Sequence, residues 1–320
     1  MRYVKTEALS LVRRSKLFVP VNRDKFVAKA WTRGADCIIL DLEDAIAPAD
    51  KASARKMVAD VIPIVKKGGA EIEVRINRGL EEEDLDTVVI NGLTGVMIPK
   101  CESAEEIDRI DGRVTVLENK RGLPQGKIQF DLIIETAAGV VNAESILEAS
   151  PRIVQVILGQ ADLSADMGFP RFIDLNFQQY FYAENRLLYA ARAAKVQCCG
   201  LGAQDNVDFA SVTMGQESML KACRHACWMG YMGANIIHPG WINAVNEGFK
   251  PPQSDLDLAY RVKSALDEAY ARGEGSVKVD GRMYDVANMK YVNYVVERSE
   301  ACARRDAEKA AAVEVAGGNA

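Results

Sequence analysis

The segment Asp131-Leu-Ile-Ile-Glu135-Thr-Ala-Ala-Gly139 decides the fold class of this 320-residue chain. Its apolar run has the length and composition of a buried β-strand, and it ends in a carboxylate that small residues follow. A second run, residues 153–159, is followed three positions later by Asp162. Buried strands that each present one acid at the carboxyl end are typical of a parallel α/β barrel, which builds its active site at that end.

Six further apolar runs have the same character, and segments of helical character lie between most of them. The additional predicted strands are residues 16–20, 37–43, 71–77, 95–100, 196–202 and 234–239, and the predicted helices are residues 25–33, 50–65, 103–110, 144–149, 184–194 and 216–229. Eight such strands predict a closed (β/α)₈ TIM barrel. An open doubly wound sheet would normally carry a Gly-rich phosphate turn after its first strand, and residues 19–22 do not form one.

The composition changes after the eighth predicted strand, where residues 249–254 resemble a linker. Helices are predicted for residues 255–272 and 286–310, on either side of a loop with a small hairpin at residues 273–281. We therefore predict a barrel domain at residues 1–248 and a C-terminal helical lid segment at residues 249–320. The lid is expected to pack on a neighbouring subunit.

The bulk composition excludes several classes of function. Hydrophobic residues make up 48% of the chain and charged residues 27%, with a net charge of −5. No basic cluster suggests nucleic-acid binding, and no run of about 18 apolar residues suggests a membrane span. Seven cysteines without framework spacing and a first segment without a secretory core lead us to expect a cytoplasmic protein.

Glu135 and Asp162 are the predicted metal ligands. The carboxyl ends of neighbouring parallel strands meet at one barrel mouth, so the two carboxylates are expected to lie close together. Mg²⁺ is usually held by one or two carboxylates, with waters and substrate oxygens completing its shell, and Mn²⁺ is the second choice. The alternative is that both are acids placed at helix starts, where negative charge is favoured.

A cluster of charged residues lies at the ends of the second and third predicted strands. Asp41, Glu43 and Asp44 stand at the end of one strand, and Arg75 lies within the next. We interpret Glu43 and Asp44 as acceptors for metal-bound water, and Arg75 as a clamp on a carboxylate or on developing negative charge. Ion pairs between Arg75 and these acids, or between the acids and basic residues of the following helix, are the structural alternative. Lys100 is expected to be an exposed rim lysine and His238 a hydrogen-bonded rim histidine.

Taken together, these residues resemble the citrate lyase β-subunit-like (HpcH/HpaI aldolase) family, and within it the malyl-CoA lyase branch. The resemblance extends from about residue 14 to residue 296. The matching stretches are Arg14-Ser-Lys-Leu-Phe-Val-Pro20, residues 34–48, Val74-Arg-Ile-Asn77, Ile98-Pro-Lys100, Ile134-Glu-Thr-Ala-Ala-Gly139, Gly159-Gln-Ala-Asp-Leu163, Ile236-Ile-His-Pro239 and Asp280-Gly-Arg-Met-Tyr-Asp285.

The resemblance implies a Mg²⁺-dependent, reversible Claisen-type cleavage of a carboxylated 3-hydroxyacyl-CoA, of the malyl-CoA, methylmalyl-CoA or citramalyl-CoA type. The products would be an acyl-CoA and a 2-oxo acid such as glyoxylate or pyruvate. It further implies that Asp285 acts as a base on a neighbouring subunit, in a homotrimer or homohexamer. The CoA moiety is expected to bind near Lys16, Lys25, Ile237 and Pro239.

Two other functions stay open at the sequence level. A thioesterase would use the same metal site to hydrolyse malyl-CoA or a similar thioester. A non-catalytic barrel subunit of a lyase complex would need none of this chemistry, and the joint presence of Arg75, Glu135, Asp162 and Asp285 argues against it. The final seventy residues argue against a citrate lyase subunit, because such subunits are typically shorter.

Overall fold

The computed structural model describes residues 7–169, 177–202, 204 and 214–318. Its main sheet has eight parallel strands in the order β7-β6-β5-β4-β3-β2-β1-β8. This arrangement confirms the predicted TIM barrel. The strands are β1 Ser15–Pro20, β2 Cys37–Asp41, β3 Glu71–Arg75, β4 Gly95–Ile98, β5 Gln129–Ile134, β6 Ile153–Leu158, β7 Gln197–Cys199 and β8 Ala234–Ile236.

The last gap, between β7 and β8, is bridged by two backbone hydrogen bonds. Met232 N–H donates to the Cys198 carbonyl at 2.9 Å, and Gly200 N–H donates to the Gly233 carbonyl at 2.8 Å. Gly200 has φ +143°, a conformation that L side chains rarely adopt. The closure is thus made by short, irregular segments.

Helices follow the strands around the outside of the barrel. Four short ones, α3, α5, α7 and α10, lie outside the predicted helices, because five to eight residues span two turns or fewer and leave little periodicity to detect. The helices are α1 Asp24–Ala30, α2 Lys51–Val65, α3 Glu81–Val88, α4 Ala104–Lys120, α5 Ala137–Val141, α6 Ala143–Glu148, α7 Gln160–Asp166, α8 Phe177–Ala193, α9 Gln216–Met229 and α10 Ile242–Gly248.

The barrel interior is layered along its axis. Because side chains alternate along a strand, every second residue points inward. Ile39, Met97 and Ile133 form an apolar layer at mid-height, with Phe18 and Ile157 packed against it. Charged residues lie on both sides of this layer, one group towards the amino ends of the strands and the other at the mouth.

Lys16 belongs to the lower charged group, contrary to the prediction that it contacts CoA. Its side chain is fully buried, and its Nζ pairs with Glu73 Oε2 at 2.8 Å and with Asp131. Lys16 precedes Pro20, at the carboxyl end of β1, by four residues, or about 13 Å at the usual strand rise. The prediction failed because Lys16 lies near the wrong end of its strand.

The chain divides into two compact units, Met1–Phe249 with Lys309–Ala320, and Lys250–Glu308. The second unit contains α11 Gln253–Ala271, the hairpin β9 Ser276–Val279 with β10 Arg282–Asp285, and most of α12 Val286–Gly318. Its own apolar cluster joins α11 to α12 through residues such as Leu266 and Val295. The division after Phe249 lies one residue from the predicted boundary, whereas the end of α12 groups with the barrel.

The cysteines and the helices were also compared with the requirements for disulfides and membrane spans. All seven cysteines lie in the described part of the chain; none forms a disulfide, and six are buried. None of the helices within the described residues combines the length and apolar character that a membrane crossing requires.

Candidate active site

Arg75 is the central cation of the barrel mouth. Asp41 and Arg75 are register partners on β2 and β3, so their side chains leave the sheet on the same side. Nε of Arg75 donates to Asp41 Oδ1 and Nη2 to Asp41 Oδ2, both at 2.7 Å. Nη1 lies 3.0 Å from Asp44 Oδ2 and 3.1 Å from Glu43 Oε2. Burial alone would lower the pKa of Arg75, but the hydrogen bonds and charge of Asp41 raise it, so the guanidinium stays charged.

The acids around Arg75 therefore hold its orientation, as the structural alternative predicted. The Phe18 ring lies on the guanidinium, 4.8 Å from its central carbon to the ring centroid. Arg75 nevertheless lines an open cavity at the mouth, so it remains available to a ligand there. Pairing and ligand binding are both compatible with this geometry.

Glu135 and Asp162, the two predicted metal ligands, are brought together at the ends of β5 and β6. Glu135 is buried, and its Oε1 accepts the Lys100 backbone N–H at 2.9 Å. Burial raises the pKa of Glu135 to about 8, with further contributions from the negative charges of Asp162 and Glu43. Asp162 lies in the first turn of α7 and is partly exposed.

Gly159 makes room for the Glu135 carboxylate. A Cβ atom at this position would lie 2.4 Å from Glu135 Oε2 and 2.6 Å from Glu135 Cβ. Any side chain here would displace Glu135, because contacts below about 3 Å essentially never occur for real Cβ atoms. The turn between β6 and α7 is therefore shaped around the carboxylate.

The donor set at this position fits a hard divalent cation. Two carboxylates from adjacent strands approach each other in a partly buried site, where burial, followed by the charges of Asp162 and Glu43, raises the pKa of Glu135. Within the described residues no cluster of three or more His, Cys, Asp or Glu side chains is placed to hold a metal. Two carboxylates suffice for Mg²⁺, since waters and substrate oxygens complete its shell.

Lys100 is a site residue that the sequence analysis underestimated. Its Nζ lies 3.0 Å from Glu43 Oε1, and burial, which would lower its pKa, is outweighed by the hydrogen bond and charge of Glu43, which raise it. Its backbone adopts φ +52°, in the left-handed region that non-glycine residues rarely occupy. This conformation directs the Lys100 N–H at Glu135 while the side chain reaches Glu43. Such strained positions cluster at functional sites.

A cavity of about 680 Å³ opens beside Arg75, between β1, β2 and α1. Three of the four residues predicted to bind CoA, namely Lys25, Ile237 and Pro239, line it. Lys29 and Arg33 line it too and were missed, although the regular spacing of four residues from Lys25 to Lys29 and from Lys29 to Arg33 was visible in the sequence. Within the described residues these three cations form no ion pair, and all three are exposed.

His238 is hydrogen-bonded, as expected, and Asp285 caps the start of α12. His238 Nδ1 accepts the Gly240 N–H at 3.2 Å, and its ring packs 5.3 Å from the Trp241 ring, so it is a hydrogen-bonded rim histidine. Asp285 is exposed, and its Oδ1 accepts the Ala287 N–H at 2.9 Å at the start of α12. Asp285 lies in the second unit, and its role as a base stays a prediction.

Comparison with known proteins decides the family. The HpcH/HpaI aldolase/citrate lyase family matches residues 14–239, which is well over half of the chain. This chain belongs to the HpcH/HpaI aldolase/citrate lyase family. The match spans all eight strands from Arg14 to Pro239 and includes Arg75, Glu135 and Asp162.

Two groups of relatives cover most of the chain. The citrate lyase subunit beta of Leuconostoc mesenteroides subsp. cremoris is 34% identical over 278 residues, which cover 86% of this chain and 89% of that protein. The L-malyl-CoA/beta-methylmalyl-CoA lyase of Cereibacter sphaeroides is 32% identical over 302 residues, covering 90% and 94%. Both names confirm the expectation that this family member is a lyase.

Solved structures support the same conclusion. The protein CitE from Mycobacterium tuberculosis, crystallised with magnesium, acetoacetate and coenzyme A, superposes with a TM-score of 0.65 at 26% identity, covering 91% of this chain and 99% of that one. A citrate lyase from Burkholderia xenovorans LB400 gives a TM-score of 0.74 at 15% identity, covering 93% and 96%, and supports the fold alone.

The length of the match to the citrate lyase subunit beta shows that the match includes part of the C-terminal segment, residues 249–320. Residues 1–248 make up less than four fifths of the chain, so a match over 86% of it extends beyond them wherever it begins. The citrate lyase subunit beta therefore shares part of this segment. The presence of residues after 248 does not separate the two groups of relatives.

Proposed function

We propose that this family member catalyses the Mg²⁺-dependent, reversible Claisen-type cleavage of a carboxylated 3-hydroxyacyl-CoA into an acyl-CoA and a 2-oxo acid. Substrates of the malyl-CoA, methylmalyl-CoA or citramalyl-CoA type fit this description. The observation that carries the proposal is the approach of Glu135 to Asp162 at the barrel mouth, where Glu43 lies between them and Arg75. The relatives named as malyl-CoA and citrate lyases support the same reaction class.

Glu135 and Asp162 would hold the ion, leaving its remaining positions to waters and to the 2-oxo acid. Bound Mg²⁺ would supply Lewis-acid polarisation of the 2-oxo acid's carbonyl. Arg75, held by Asp41 in a fixed orientation, would bind the carboxylate of the 2-oxo acid and stabilise charge on the oxygen at the reacting carbon. Glu43 and Asp44 keep Arg75 in place and accept hydrogen bonds from water at the site.

The proton transfers are assigned to Asp285 of a neighbouring subunit. In the direction of cleavage the Asp285 carboxylate would take the proton of the substrate hydroxyl, the C2–C3 bond would break, and its electron pair would form the enolate of the acyl-CoA. Asp285, now in its acid form, would then give that proton to the enolate carbon. In the reverse direction the Asp285 carboxylate removes the α-proton of the thioester. This requirement is the basis for proposing a homotrimer or homohexamer.

The cavity beside Arg75 is the proposed binding site for the CoA moiety. Its apolar wall includes Ile237 and Pro239, and its rim carries the positive charges of Lys25 and Lys29 on α1 and of Arg33 shortly after it. Phosphate groups are attracted by such a row of cations, and the reactive thioester would then be directed towards Arg75. A cytoplasmic location, where CoA thioesters are available, completes the proposal.

Mass-spectrometric product analysis tests the reaction class. The protein would be incubated with a panel of 3-hydroxyacyl-CoAs with and without Mg²⁺. We expect free glyoxylate or pyruvate together with an acyl-CoA, only when Mg²⁺ is present. Release of the intact hydroxy acid with free CoA would show a thioesterase instead. An absence of any turnover across the panel would favour a non-catalytic subunit.

Two variants test the proposed metal ligands in the same assay. Glu135→Gln and Asp162→Asn each remove one negative charge without changing side-chain size, so the fold should persist while Mg²⁺-dependent turnover is abolished. Circular dichroism and a thermal melt establish that each variant is folded. Wild-type turnover in either variant would remove that residue from the metal site.

A further inference from the structure

We infer that Glu184, which lies outside the proposed catalytic groups, is a positioning residue that sets the metal site through Gln160. Gln160 Nε2 donates to Glu184 Oε1 at 2.7 Å. Gln160 begins α7, and Asp162, the proposed metal ligand, lies two residues further along the same turn. The inference rests on the proposed function, since it concerns the placement of Asp162.

The helix α7 cannot hold Asp162 in place by itself. It has only seven residues, and isolated helices of that length are unstable in water. Its N-cap residue, Gly159, offers no side chain to bond the first-turn N–H groups. The orientation of this first turn therefore depends on contacts with the rest of the barrel, and the Gln160–Glu184 hydrogen bond joins this turn to α8.

Glu184 is placed to act as a fixed support. It lies on α8, 24 residues from Gln160, and it is almost completely buried, with 1% of its surface exposed. A buried carboxylate is costly unless its oxygens are hydrogen-bonded. We therefore attribute the buried position of Glu184 beside α7 to its hydrogen bond with Gln160 rather than to packing alone.

The far end of α7 is held to its surroundings as well. Ser164 Oγ contacts the hydroxyl of Tyr180, a fully buried residue of α8. Asp166 Oδ2 accepts the Ala137 N–H at 2.7 Å, and Ala137 follows Glu135 by two residues. Three side-chain bonds thus tie α7 to α8 and to the turn after β5. Of these, only the bond from Gln160 acts on the turn that carries Asp162.

Manganese binding to the purified full-length chain tests the inference without relying on turnover. Mn²⁺ affinity would be measured by electron paramagnetic resonance titration of free Mn²⁺ for wild type, Gln160→Met and Glu184→Gln. Gln160→Met keeps side-chain length and net charge but removes the donor. We expect it to raise the Mn²⁺ dissociation constant about 10-fold, in the range usual for partners of metal ligands. Its turnover should recover at saturating metal.

Glu184→Gln is the conservative rescue, since the amide oxygen that it introduces can still accept from Gln160. We expect its dissociation constant to stay within about threefold of wild type, the remainder reflecting the lost charge. Gln160→Ala provides a second removal of the donor, should Gln160→Met fold poorly in a thermal melt. Wild-type Mn²⁺ affinity in a folded donor-less variant would overturn the inference.

Glu135→Gln separates this inference from the proposed function. If Glu135→Gln loses Mn²⁺ binding while the Gln160 variants bind like wild type, the metal-site assignment is retained and the positioning role of Glu184 is rejected. If Glu135→Gln binds Mn²⁺ with wild-type affinity, the metal site is wrong, and the positioning role falls with it.

Discussion

The same barrel contains two charged clusters that are built from similar residues and differ in charge balance. The lower cluster has two cations, Arg13 and Lys16, and three acids, Glu71, Glu73 and Asp131. The mouth cluster has two cations and five acids, namely Arg75, Lys100, Asp41, Glu43, Asp44, Glu135 and Asp162. Glu71 in the lower cluster is partly exposed, as are Asp44 and Asp162 at the mouth.

The difference separates a structural cluster from a binding site. Counting every member, the lower cluster has one carboxylate more than cations, and Lys16 joins Glu73 to Asp131 across the barrel. The mouth has three carboxylates more than cations, and one divalent ion would balance most of that excess. Burial raises the pKa of Glu135 there, and the charges of Asp162 and Glu43 raise it further. Removing one partner of a paired buried charge is destabilising, whereas unpaired carboxylates in a cleft are candidates for binding a cation.

The largest expected effect concerns proton transfer at the mouth. The carboxylates at the mouth either pair with Arg75 and Lys100 or are assigned to the metal. We therefore expect Asp285 to be the base that transfers the proton. Asp285→Asn should lower kcat by roughly 100- to 10,000-fold, the usual contribution of a general acid–base, with little change in substrate binding. Steady-state kinetics would measure it. Unchanged kcat would reduce Asp285 to its observed role at the start of α12.

Subunit mixing sharpens this prediction. If Asp285 serves a neighbouring site, then oligomers reassembled from Asp285→Asn and Glu135→Gln chains should regain a fraction of wild-type turnover, because some sites receive both intact residues. Each variant reassembled alone is the control. Native mass spectrometry would confirm that mixed oligomers have formed. If those oligomers recover no turnover, or if the protein is a monomer on size-exclusion chromatography, Asp285 does not serve a neighbouring subunit's site.

The lower cluster is expected to affect stability. Lys16→Met leaves Asp131 and part of the Glu73 charge buried without a cation, which should lower the free energy of unfolding by about 3–5 kcal/mol. Urea denaturation would measure the loss. Lys25→Met is the matched control, since exposed Lys25 should change stability by less than about 0.5 kcal/mol. Equal stability of the two variants would refute the structural role of the lower cluster.

Two lysines with left-handed backbones compare the two ends of the barrel. Lys100 (φ +52°) lies at the mouth, and Lys195 (φ +59°) precedes β7 at the opposite end. Lys195→Gly should stabilise the protein by up to about 1 kcal/mol without affecting turnover, because glycine adopts this conformation freely. Lys100→Gly should be close to neutral in stability and lower turnover about 10- to 100-fold. Equal turnover in both variants would contradict a role for the Lys100 side chain.

The smallest expected effect lies at the rim of the cavity. Lys29→Gln should raise KM for a CoA thioester about 2- to 5-fold without changing kcat, since an exposed charge contributes less than about 1 kcal/mol. The difference from wild type should shrink as ionic strength increases. Lys56→Gln, an exposed residue of α2 outside the cavity lining, is the control. A KM that responds equally to both substitutions would argue against a CoA site here.

Much of the barrel and part of the site could be predicted from the sequence. Strand ends such as Leu-Ile-Ile-Glu135 were readable because buried parallel strands are continuously apolar and polar residues follow them at the mouth. The approach of Glu135 to Asp162 followed from topology alone. Helices α3, α5, α7 and α10 were missed because short helices depend on tertiary contacts more than on their own periodicity.

The misassigned lysines show where such reasoning fails. Lys16 and Lys100 both lie in or next to strands. From the sequence, Lys16 is expected at the barrel mouth and Lys100 in solvent. Counting four residues from Lys16 to the end of β1 would have placed it below the apolar layer. The position of Lys100 depends on a left-handed backbone at a non-glycine residue, which a single sequence does not reveal.

The central claim is that the excess carboxylates at the mouth hold a divalent ion on which turnover depends. The most direct measurement is 2-oxo acid release from a 3-hydroxyacyl-CoA after removal of divalent metal with a chelator, followed by stepwise addition of Mg²⁺. We predict that turnover disappears with the chelator and returns fully with Mg²⁺. Turnover that is indifferent to the chelator would contradict the account.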